Sequence, residues 1–421
     1  MSCTTVFTNG RIILPDSICD GGWVAIHQDR IVAMGQAGDA WPKSDDSTIV
    51  DLAGAYLAPG FVDLHVHGGD GADFMDLTAA AFRTVCRAHA RHGTTAICPT
   101  SCVAPHDECV QFLRLCQQFL GESTGGARVI GGHFYGPYFH APAKGCHPSL
   151  GLRPPLESEF AEYLAFGTPT IVRATVAPEL PNAEAFARAC VAAGIGVNAG
   201  HSHATFAQME AAIGWGTSHV DHLFCAMSDR ARLRLSQAYP MRGGVLEATL
   251  YFDELTTEVI ADGKHLSADL LRLAFKLKGA DRLAIVTDSS RGLDMPDGEM
   301  LFGSPSCAEW FRKQDGVGVT LDGTALASSV VGMDDSVRTF HRLTGVLLPV
   351  VVRMASLTPA RIVGMDSDIG SIAVGKRADF AVMNADLAVI RTIVGGIELT
   401  EFPKPIGEFG VELGHSPNGI R

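Results

Sequence analysis

The sequence predicts an α/β protein, a (β/α)8 TIM barrel with a small β-sandwich domain built from both chain ends. Between about residues 58 and 359, short apolar runs alternate with helical stretches, as in TTAICPTS followed by DECVQFLRLCQQFL. Repeated strand–helix units predict a parallel sheet with crossover helices. Their number and a span of roughly 250 residues favour a closed barrel, with a doubly wound open sheet as the alternative.

The two chain ends are expected to form one domain together. VFTNGRIIL and GGWVAIHQDRIVAMG near the start alternate apolar and polar positions between turn signals, which predicts short antiparallel strands. The same pattern returns in GSIAVGKRADFAVMNADLAVIRTIVGGIEL near the end. Neither segment has enough strands to close a core alone. We therefore expect residues 1–57 and 360–421 to pair into one β-sandwich around a barrel domain of residues 58–359.

Composition narrows the class of protein. The chain has 421 residues, 47% of them hydrophobic and 19% charged, so it can bury a large core. A formal net charge of -13 argues against a nucleic-acid or anionic-membrane partner, although a small anion can still be held locally. Eleven cysteines lie scattered in apolar runs, which is typical of free thiols. With no signal-peptide pattern and no membrane-length apolar stretch, we expect a cytoplasmic protein.

Histidine and aspartate side chains follow several of the predicted barrel strands. His65 and His67 are two residues apart in FVDLHVHGG, so on a strand they point to the same side and can hold one ion. His201 in GHSHAT, His222 in SHVDHLF and Asp288 in AIVTDSS end later strands. Residues after barrel strands face the active site, so these five should converge on zinc or a similar divalent ion. A lone histidine at such a position is more often a structural residue.

Several motifs together resemble those of a known family. The segments APGFVDLHVHGG, GHSHAT, DHLFCAM, ADGKHL, VTDSS and SLTPARIVG are similar to the amidohydrolase superfamily and, in detail, to N-acetylglucosamine-6-phosphate deacetylases. The HxH pair is shared by many amidohydrolases, whereas GHSxAT, HLxxAM and ADGxH in this order are much more specific. The resemblance runs nearly end to end. It implies a barrel with a β-sandwich, an amino-sugar substrate and, commonly, a cytosolic homodimer.

The resemblance also implies roles in catalysis and metal binding. His201 and His222 would bind the metal, and His65 and His67 would form a second metal site that only some members use. Asp288 would be the general base, which takes a proton from the attacking water and delivers it to the leaving amine.

A further set of residues is implied to contact the substrate. His147, in KGCHPS, matches a histidine at the substrate carbonyl or sugar, with capping of its own loop as the structural alternative. His265, in ADGKHL, matches a histidine at the sugar. The other expected pocket residues are Tyr135, His203, Cys225, Ala226 and Arg242.

The sequence departs from the family pattern within this pocket. The family's HxEGP reads HFYGP here, so Tyr135 stands where a metal-binding glutamate is expected. A neutral phenol with a pKa near ~10 is a poor ligand for a divalent ion. His203 and Cys225 replace asparagines, and the loop that carries a phosphate-binding arginine is rewritten. Arg242, or another arginine between residues 230 and 242, is the expected counterpart.

Two interpretations of Tyr135 follow. In the first, one divalent ion is held by His65, His67, His201 and Asp288 with His222 nearby, an arrangement that resembles the deaminase branch of the superfamily. In the second, the metal site has decayed, which the survival of every other ligand disfavours. The phenol of Tyr135 would donate a hydrogen bond to the substrate or to an oxyanion. The structural alternative is a packing residue stacked with Phe134, Tyr138 or Phe139.

The leading hypothesis for function is a metal-dependent hydrolase that removes the acetyl group from an N-acetylated amino sugar. The expected substrate is N-acetylglucosamine 6-phosphate or a close relative, with the phosphate left open. A different amidohydrolase reaction, such as deamination or cleavage of another C–N bond, is the second hypothesis. A non-catalytic binding protein is the third, and the presence of Asp288 disfavours it, because a binding protein needs no base beside a metal.

Overall fold

The computed structural model describes residues 4–41, 47–236 and 239–399. The strands in these ranges are β1 (Thr4–Ile13), β2 (Ile18–His27), β3 (Arg30–Gly35), β4 (Thr48–Asp51), β5 (Tyr56–Pro59), β6 (Phe61–Val66), β7 (Gly68–Gly69), β8 (Ala72–Asp73), β9 (Thr94–Pro99), β10 (Arg128–Val129), β11 (Gly132–Tyr135), β12 (Ile171–Val176), β13 (Gly196–Ala199), β14 (Thr217–Val220), β15 (Thr256–Ile260), β16 (Leu283–Val286), β17 (Gly298–Phe302), β18 (Glu309–Gln314), β19 (Val317–Thr320), β20 (Phe380–Met383), β21 (Val389–Val394) and β22 (Ile397–Glu398). The α-helices are α1 (Ala79–Arg91), α2 (His106–Gly121), α3 (Glu157–Leu164), α4 (Ala183–Ala192), α5 (Phe206–Trp215), α6 (Arg230–Arg234), α7 (Val245–Tyr251), α8 (Ala268–Lys278), α9 (Met333–Thr344), α10 (Leu348–Met354) and α11 (Leu357–Ile362). None of these helices combines the length and the apolar character needed to cross a membrane.

Parallel strands form the centre of the molecule. One sheet has the order β10–β9–β6, and a second joins β11 to β16 in chain order. A parallel bridge between Thr100 and His133 links the two sheets beyond the end of β9. At the other edge, the amide of Asp288 donates to the carbonyl of His65 at 2.8 Å, which brings the end of β16 beside β6. The prediction of parallel strands alternating with helices is confirmed, and the C-terminal strand ends lie together.

The parallel strands are buried on both faces because helices cover them. All six residues of β9, with the sequence TTAICP, are buried, and so are all four of β16, with the sequence LAIV. This explains why the central strands appear in the sequence as short, continuous apolar runs. It also means that a charged side chain inside such a run must have a partner within the protein.

A second, mainly antiparallel sheet draws strands from both chain ends. Its order is β22–β21–β20–β5–β1–β2–β3, and β4 pairs with β1. β20 runs antiparallel to β5, with Phe380 opposite Pro59 and Val382 opposite Leu57. Leu57, Phe380 and Phe7 are buried together on this sheet. The alternating patterns at the two ends of the sequence therefore share one sheet.

The expected domain boundaries fall inside elements of the structure. β5 spans the boundary expected between residues 57 and 58, and α11 spans the boundary expected between residues 359 and 360. Part of the expected C-terminal segment, residues 400–421, lies outside the described residues. The division of the chain into two domains therefore stays a prediction.

The turn between β13 and α5 shows how the local sequence fixes a loop of the candidate site. Thr205 caps α5 by accepting a hydrogen bond from the amide of Gln208, whose side chain accepts one from the amide of Thr205. Glu179 holds the same turn from the other side by accepting a hydrogen bond from the amide of His203. These contacts fix the backbone next to His201.

Candidate active site

A cavity of about 700 Å³ opens where the parallel strands end, a volume within the range of small-molecule sites. Ten of the expected site residues line it: His67, Tyr135, His147, His201, His203, His222, Cys225, Ala226, His265 and Asp288. His65 lies beside Asp288 but does not line the cavity, and Arg242 is exposed to solvent away from the lining. The structure thus brings most of the predicted residues into one place.

Three buried side chains, His65, His67 and Asp288, form a group that we call the carboxylate cluster. Nε2 of His67 lies 3.3 Å and Nε2 of His65 lies 3.6 Å from Oδ1 of Asp288. Their potential ligand atoms all lie within 4.8 Å of one another. Atoms bound to one ion at about 2.0–2.2 Å are separated by comparable distances, so the cluster has the dimensions of a divalent metal site.

Glu258, on β15, supports His65 from behind. Oε1 of Glu258 lies 2.6 Å from Nδ1 of His65, and an ionised carboxylate can only accept, so Nδ1 carries a hydrogen. Nε2 of His65 is buried and has no hydrogen-bond partner among the described residues. An imidazole whose second nitrogen donates to a carboxylate is typical of metal-binding histidines. These side chains therefore fit a divalent ion.

The electrostatics of the carboxylate cluster favour a bound cation. Burial alone lowers the pKa of His65, but the carboxylates of Asp288 and Glu258 outweigh it and raise this pKa to about 9. For Asp288, burial raises the pKa, and the neighbouring His65 and His67 reverse that effect and bring it below its usual value. The cluster thus keeps its carboxylate ionised and attracts either a proton or a metal ion.

A second group, Tyr135, His222 and His201, which we call the phenol cluster, lies beside the first. The hydroxyl oxygen of Tyr135 is 2.6 Å from Nε2 of His222, which is 3.2 Å from Nε2 of His201. Nδ1 of His201 donates to the carbonyl of Ala143 at 2.7 Å. These contacts group His201 with His222 and Tyr135, whereas the arrangement expected from the sequence, in which His201 shares one ion with His65, His67 and Asp288, stays a prediction.

The ring of Tyr135 is also tightly packed. It is fully buried, and its centroid lies 4.8 Å from that of Phe139 and 4.5 Å from that of His65. Of the three expected packing partners, Phe139 is the one in ring contact, whereas Phe134 packs against Tyr138. Packing and hydrogen bonding thus coexist at Tyr135.

The backbone is strained where the candidate ligands leave their strands. His201 has φ 45°, His222 has φ 21° and Asp288 has φ 47°, all in the left-handed region that non-glycine residues rarely adopt. Such conformations cost about 1–3 kcal/mol each and persist where the surrounding structure demands a particular side-chain direction. Their coincidence at three strand ends is a structural indication of function that the sequence does not contain.

Two further histidines have defined hydrogen-bonding states. The amide of Val103 donates a long, 3.5 Å hydrogen bond to Nδ1 of His147, which leaves the hydrogen of the neutral ring on Nε2. Burial, followed by the proximity of His201, His67 and other histidines, holds the pKa of His147 well below its usual value, so the ring is neutral. Nδ1 of His265 lies 2.7 Å from the carboxylate of Asp262.

One side of the cavity rim carries positive charge. Arg232, on α6, lines the cavity, and no salt bridge or side-chain hydrogen bond of its guanidinium occurs among the described residues. The ring of His203 lies 5.1 Å, centroid to centroid, from that of His140, with the two planes tilted by 57°. Burial, Arg232 and His140 lower the pKa of His203 to about 4. The expected loop arginine that reaches the cavity is therefore Arg232, although residues 237–238 of this loop lie outside the described residues.

Sequence reasoning missed several residues that shape the site. Glu258 supports His65, Glu179 holds the turn after His201, and Asp262 orients His265. A signal existed for Glu258, because an acidic residue inside the apolar strand segment TTEVI needs a buried partner. No comparable signal selects Glu179. The arginine-rich segment 230–242 includes Arg232 but does not single it out.

Comparison with known proteins is consistent with this geometry. Residues 56–398 match the Amidohydrolase family. An N-acetylglucosamine-6-phosphate deacetylase of Vibrio furnissii is 30% identical over 374 residues, which cover 88% of this chain and 90% of the relative. An N-acetylgalactosamine-6-phosphate deacetylase of Escherichia coli O157:H7 is 31% identical over 380 residues, covering 90% of this chain and 96% of the relative.

Solved structures share the fold over nearly the whole chain. The crystal structure of N-acetylglucosamine-6-phosphate deacetylase from Pasteurella multocida aligns with a TM-score of 0.85 at 28% identity, covering 94% of this chain and 99% of that chain. A mutant deacetylase from Mycobacterium smegmatis, solved in complex with N-acetyl-D-glucosamine-6-phosphate, aligns with a TM-score of 0.84 at 27% identity and the same coverage of 94% and 99%.

Proposed function

The chain belongs to the amidohydrolase family, in the group of the N-acetylglucosamine-6-phosphate deacetylases, and we propose that it removes the acetyl group from an N-acetylated amino sugar 6-phosphate. The carboxylate cluster beside a cavity of about 700 Å³ is the observation that carries this proposal. Amide hydrolysis needs a polarised acyl oxygen, an activated water and a proton for the leaving nitrogen. An ion held by the carboxylate cluster, together with Asp288 and His147, would meet these needs.

His65, His67 and Asp288 would hold one divalent ion per chain. Zinc is favoured, because two imidazoles and a carboxylate suit it. Such an ion, when bound, supplies Lewis acidity toward the acyl oxygen and the attacking water. The negative charge of Asp288 supports the assignment of this ion to the carboxylate cluster, because the phenol cluster contains no carboxylate of its own.

Asp288 would carry the proton between the two halves of the reaction. Its neighbours His65 and His67 keep it ionised, so it can accept a proton from the attacking water and pass that proton to the leaving nitrogen. His147 lines the same cavity as a neutral ring with its hydrogen on Nε2, which makes it a donor for the acyl oxygen or for a sugar hydroxyl.

The sugar and its phosphate would lie along the rest of the cavity. Cys225, Ala226 and His265 line it, and the carboxylate of Asp262 fixes the hydrogen of His265 on Nδ1. Arg232, the cationic residue of the rim, would hold the phosphate, because a guanidinium binds phosphate oxygens through paired donors. His203 beside it is a neutral ring, since its pKa is lowered to about 4. Relatives of similar identity are named for glucosamine and for galactosamine derivatives, so both sugars belong in the test.

The proposal extends to the fold, the compartment and the oligomeric state of the protein. The bridge at Thr100 and the backbone bond from Asp288 to His65 support a closed (β/α)8 barrel of residues 58–359. Residues 1–57 and 360–421 would form the composite β-sandwich domain. The ten described cysteines are free, which suits a reducing cytoplasm. The active form would be a homodimer, and exposed Leu235 and Tyr239 beside the cavity loop offer it an apolar contact.

A panel of acetylated sugars tests the proposal. Acetate release is measured from N-acetylglucosamine, N-acetylgalactosamine and their 6-phosphates with the zinc-loaded protein. We expect acetate from at least one phosphorylated sugar at a rate well above that of its plain form. Release of ammonia in place of acetate would show that the protein is a deaminase and not a deacetylase. Tight binding of a sugar phosphate without any product would instead indicate a non-catalytic protein.

A further inference from the structure

The phenol cluster contains a hydrogen-bonding pattern that restricts where its protons lie. Nδ1 of His201 donates to the carbonyl of Ala143, so a neutral His201 has a bare Nε2. Nε2 of His222 lies 3.2 Å from that nitrogen and 2.6 Å from the hydroxyl oxygen of Tyr135. Two bare nitrogens facing each other are unfavourable, so either a hydrogen or a metal ion must lie between the three atoms.

The other nitrogen of His222 decides which tautomer is favoured. Nδ1 of His222 is buried, and none of the described residues gives it a hydrogen-bond partner. A buried N–H without an acceptor is rarer and more costly than a buried acceptor without a donor. The hydrogen of neutral His222 therefore belongs on Nε2, where the oxygen of Tyr135 and Nε2 of His201 can both accept it.

This tautomer determines what the phenol does. A hydroxyl oxygen that accepts from Nε2 of His222 keeps its own hydrogen free to donate elsewhere. Tyr135 belongs to the cavity wall but is fully buried, so its hydrogen can reach only a molecule that binds deep in the cavity. The burial of the ring and its contact with Phe139 hold the oxygen in place.

We propose that Tyr135 takes the place of a metal ion in the phenol cluster and donates a hydrogen bond to the acyl oxygen of the substrate. The hydroxyl fills the third position beside His201 and His222, and the hydrogen on Nε2 of His222 removes the lone pair that an ion would need. The cavity then combines one cation site, at the carboxylate cluster, with a neutral donor. The hydrogen bond to an acyl oxygen rests on the proposed function, because that function supplies the acyl group. The exclusion of an ion from the phenol cluster does not rest on it.

Metal counting tests the exclusion without any substrate. The full chain is loaded with excess zinc and desalted, and zinc per chain is measured by plasma mass spectrometry for the unmodified protein, Tyr135→Phe and Tyr135→Glu. We expect one ion per chain in the unmodified protein and in Tyr135→Phe. We expect two in Tyr135→Glu, because a glutamate restores an anionic ligand beside His201 and His222. Two ions in the unmodified protein, or a phenolate absorption band when zinc is added, would overturn the exclusion. So would a folded Tyr135→Glu that still holds one ion.

Turnover then tests the donor. Tyr135→Phe keeps the ring and removes only the hydroxyl, and we expect kcat to fall by about a hundredfold with the zinc content unchanged, the scale of a lost oxyanion donor. Tyr138→Phe is the matched control, since it removes the hydroxyl of another buried tyrosine that bonds Glu159 at 3.2 Å. Equal kcat for Tyr135→Phe and Tyr138→Phe would overturn the donor role. If Tyr135→Glu fails to fold, the zinc content of the unmodified protein and of Tyr135→Phe still decides the exclusion.

Discussion

The carboxylate cluster and the phenol cluster contain similar imidazoles but differ in what surrounds them. Asp288 and Glu258 raise the pKa of His65 to about 9. In the phenol cluster, burial and the nearby His65 lower the pKa of His222 to about 4, and the partners there are a phenol and a carbonyl. Carboxylates, more than the number of histidines, therefore set the charge that a cation would meet in this cavity.

Removal of the carboxylate from the first cluster should have the largest effect. Asp288→Asn takes away both the negative charge beside His65 and His67 and the group that is proposed to carry the proton. We expect turnover on the true substrate to fall by roughly a hundredfold or more, the scale of a lost general base. Steady-state assays at saturating zinc check this, with the exposed Asp297→Asn from the same loop as the control. Near-full activity of Asp288→Asn with metal bound would contradict the mechanism.

A change at Glu258, which lies behind the carboxylate cluster, should weaken the binding of the ion without altering contacts with the substrate. Glu258→Gln keeps the shape but removes the charge that raises the pKa of His65, so we expect the Kd for zinc to rise by about ten- to a hundredfold. Competition with a chelator measures it, and Glu210→Gln, at an exposed position on α5, is the control. An unchanged Kd in a variant that remains folded by circular dichroism would show that Glu258 does not affect the binding of zinc by His65.

The sequence predicted the candidate ligands but not their division into two clusters. Histidines and Asp288 were identifiable because they follow short apolar runs, and parallel strands bring such positions together. Their division depends on hydrogen bonds to residues far along the chain. The partner of His65 is Glu258, which is 193 residues away, and the partner of His222 is Tyr135, which is 87 residues away. Pairings at such distances follow from how the parallel strands pack together and leave no local pattern.

The loop after β14 illustrates a second limit. The sequence marks residues 230–242 as rich in arginine, but it does not indicate which guanidinium faces the cavity. That depends on where α6 begins, and Asp229 caps this helix by accepting a hydrogen bond from the amide of Arg232. Arg232 consequently lines the cavity, whereas Arg242 is exposed outside the lining.

The smallest expected effect is that of Arg232 at the cavity rim, which belongs to neither cluster. Its substitution tests whether the cavity contains a separate anion site. Arg232 has no carboxylate partner among the described residues, so its charge is available to a phosphate. A hydrogen bond to a charged group contributes about 1.5–3 kcal/mol, and solvent exposure places Arg232 near or below the lower limit. We therefore expect Arg232→Ala to lower kcat/KM by about tenfold for a sugar 6-phosphate.

The same substitution should leave turnover of the plain sugar unaffected, because only the phosphate is proposed to contact the rim. Arg242→Ala is the matched control, since it removes an exposed arginine of the same loop that does not line the cavity. An equal loss for phosphorylated and plain substrates would assign Arg232 a structural role. A larger loss for Arg242→Ala than for Arg232→Ala would return the phosphate contact to the residue that the sequence alone favours. Either result would remove the cationic rim from the site, while the contrast between the two histidine clusters would stand, because it depends on zinc content and not on phosphate.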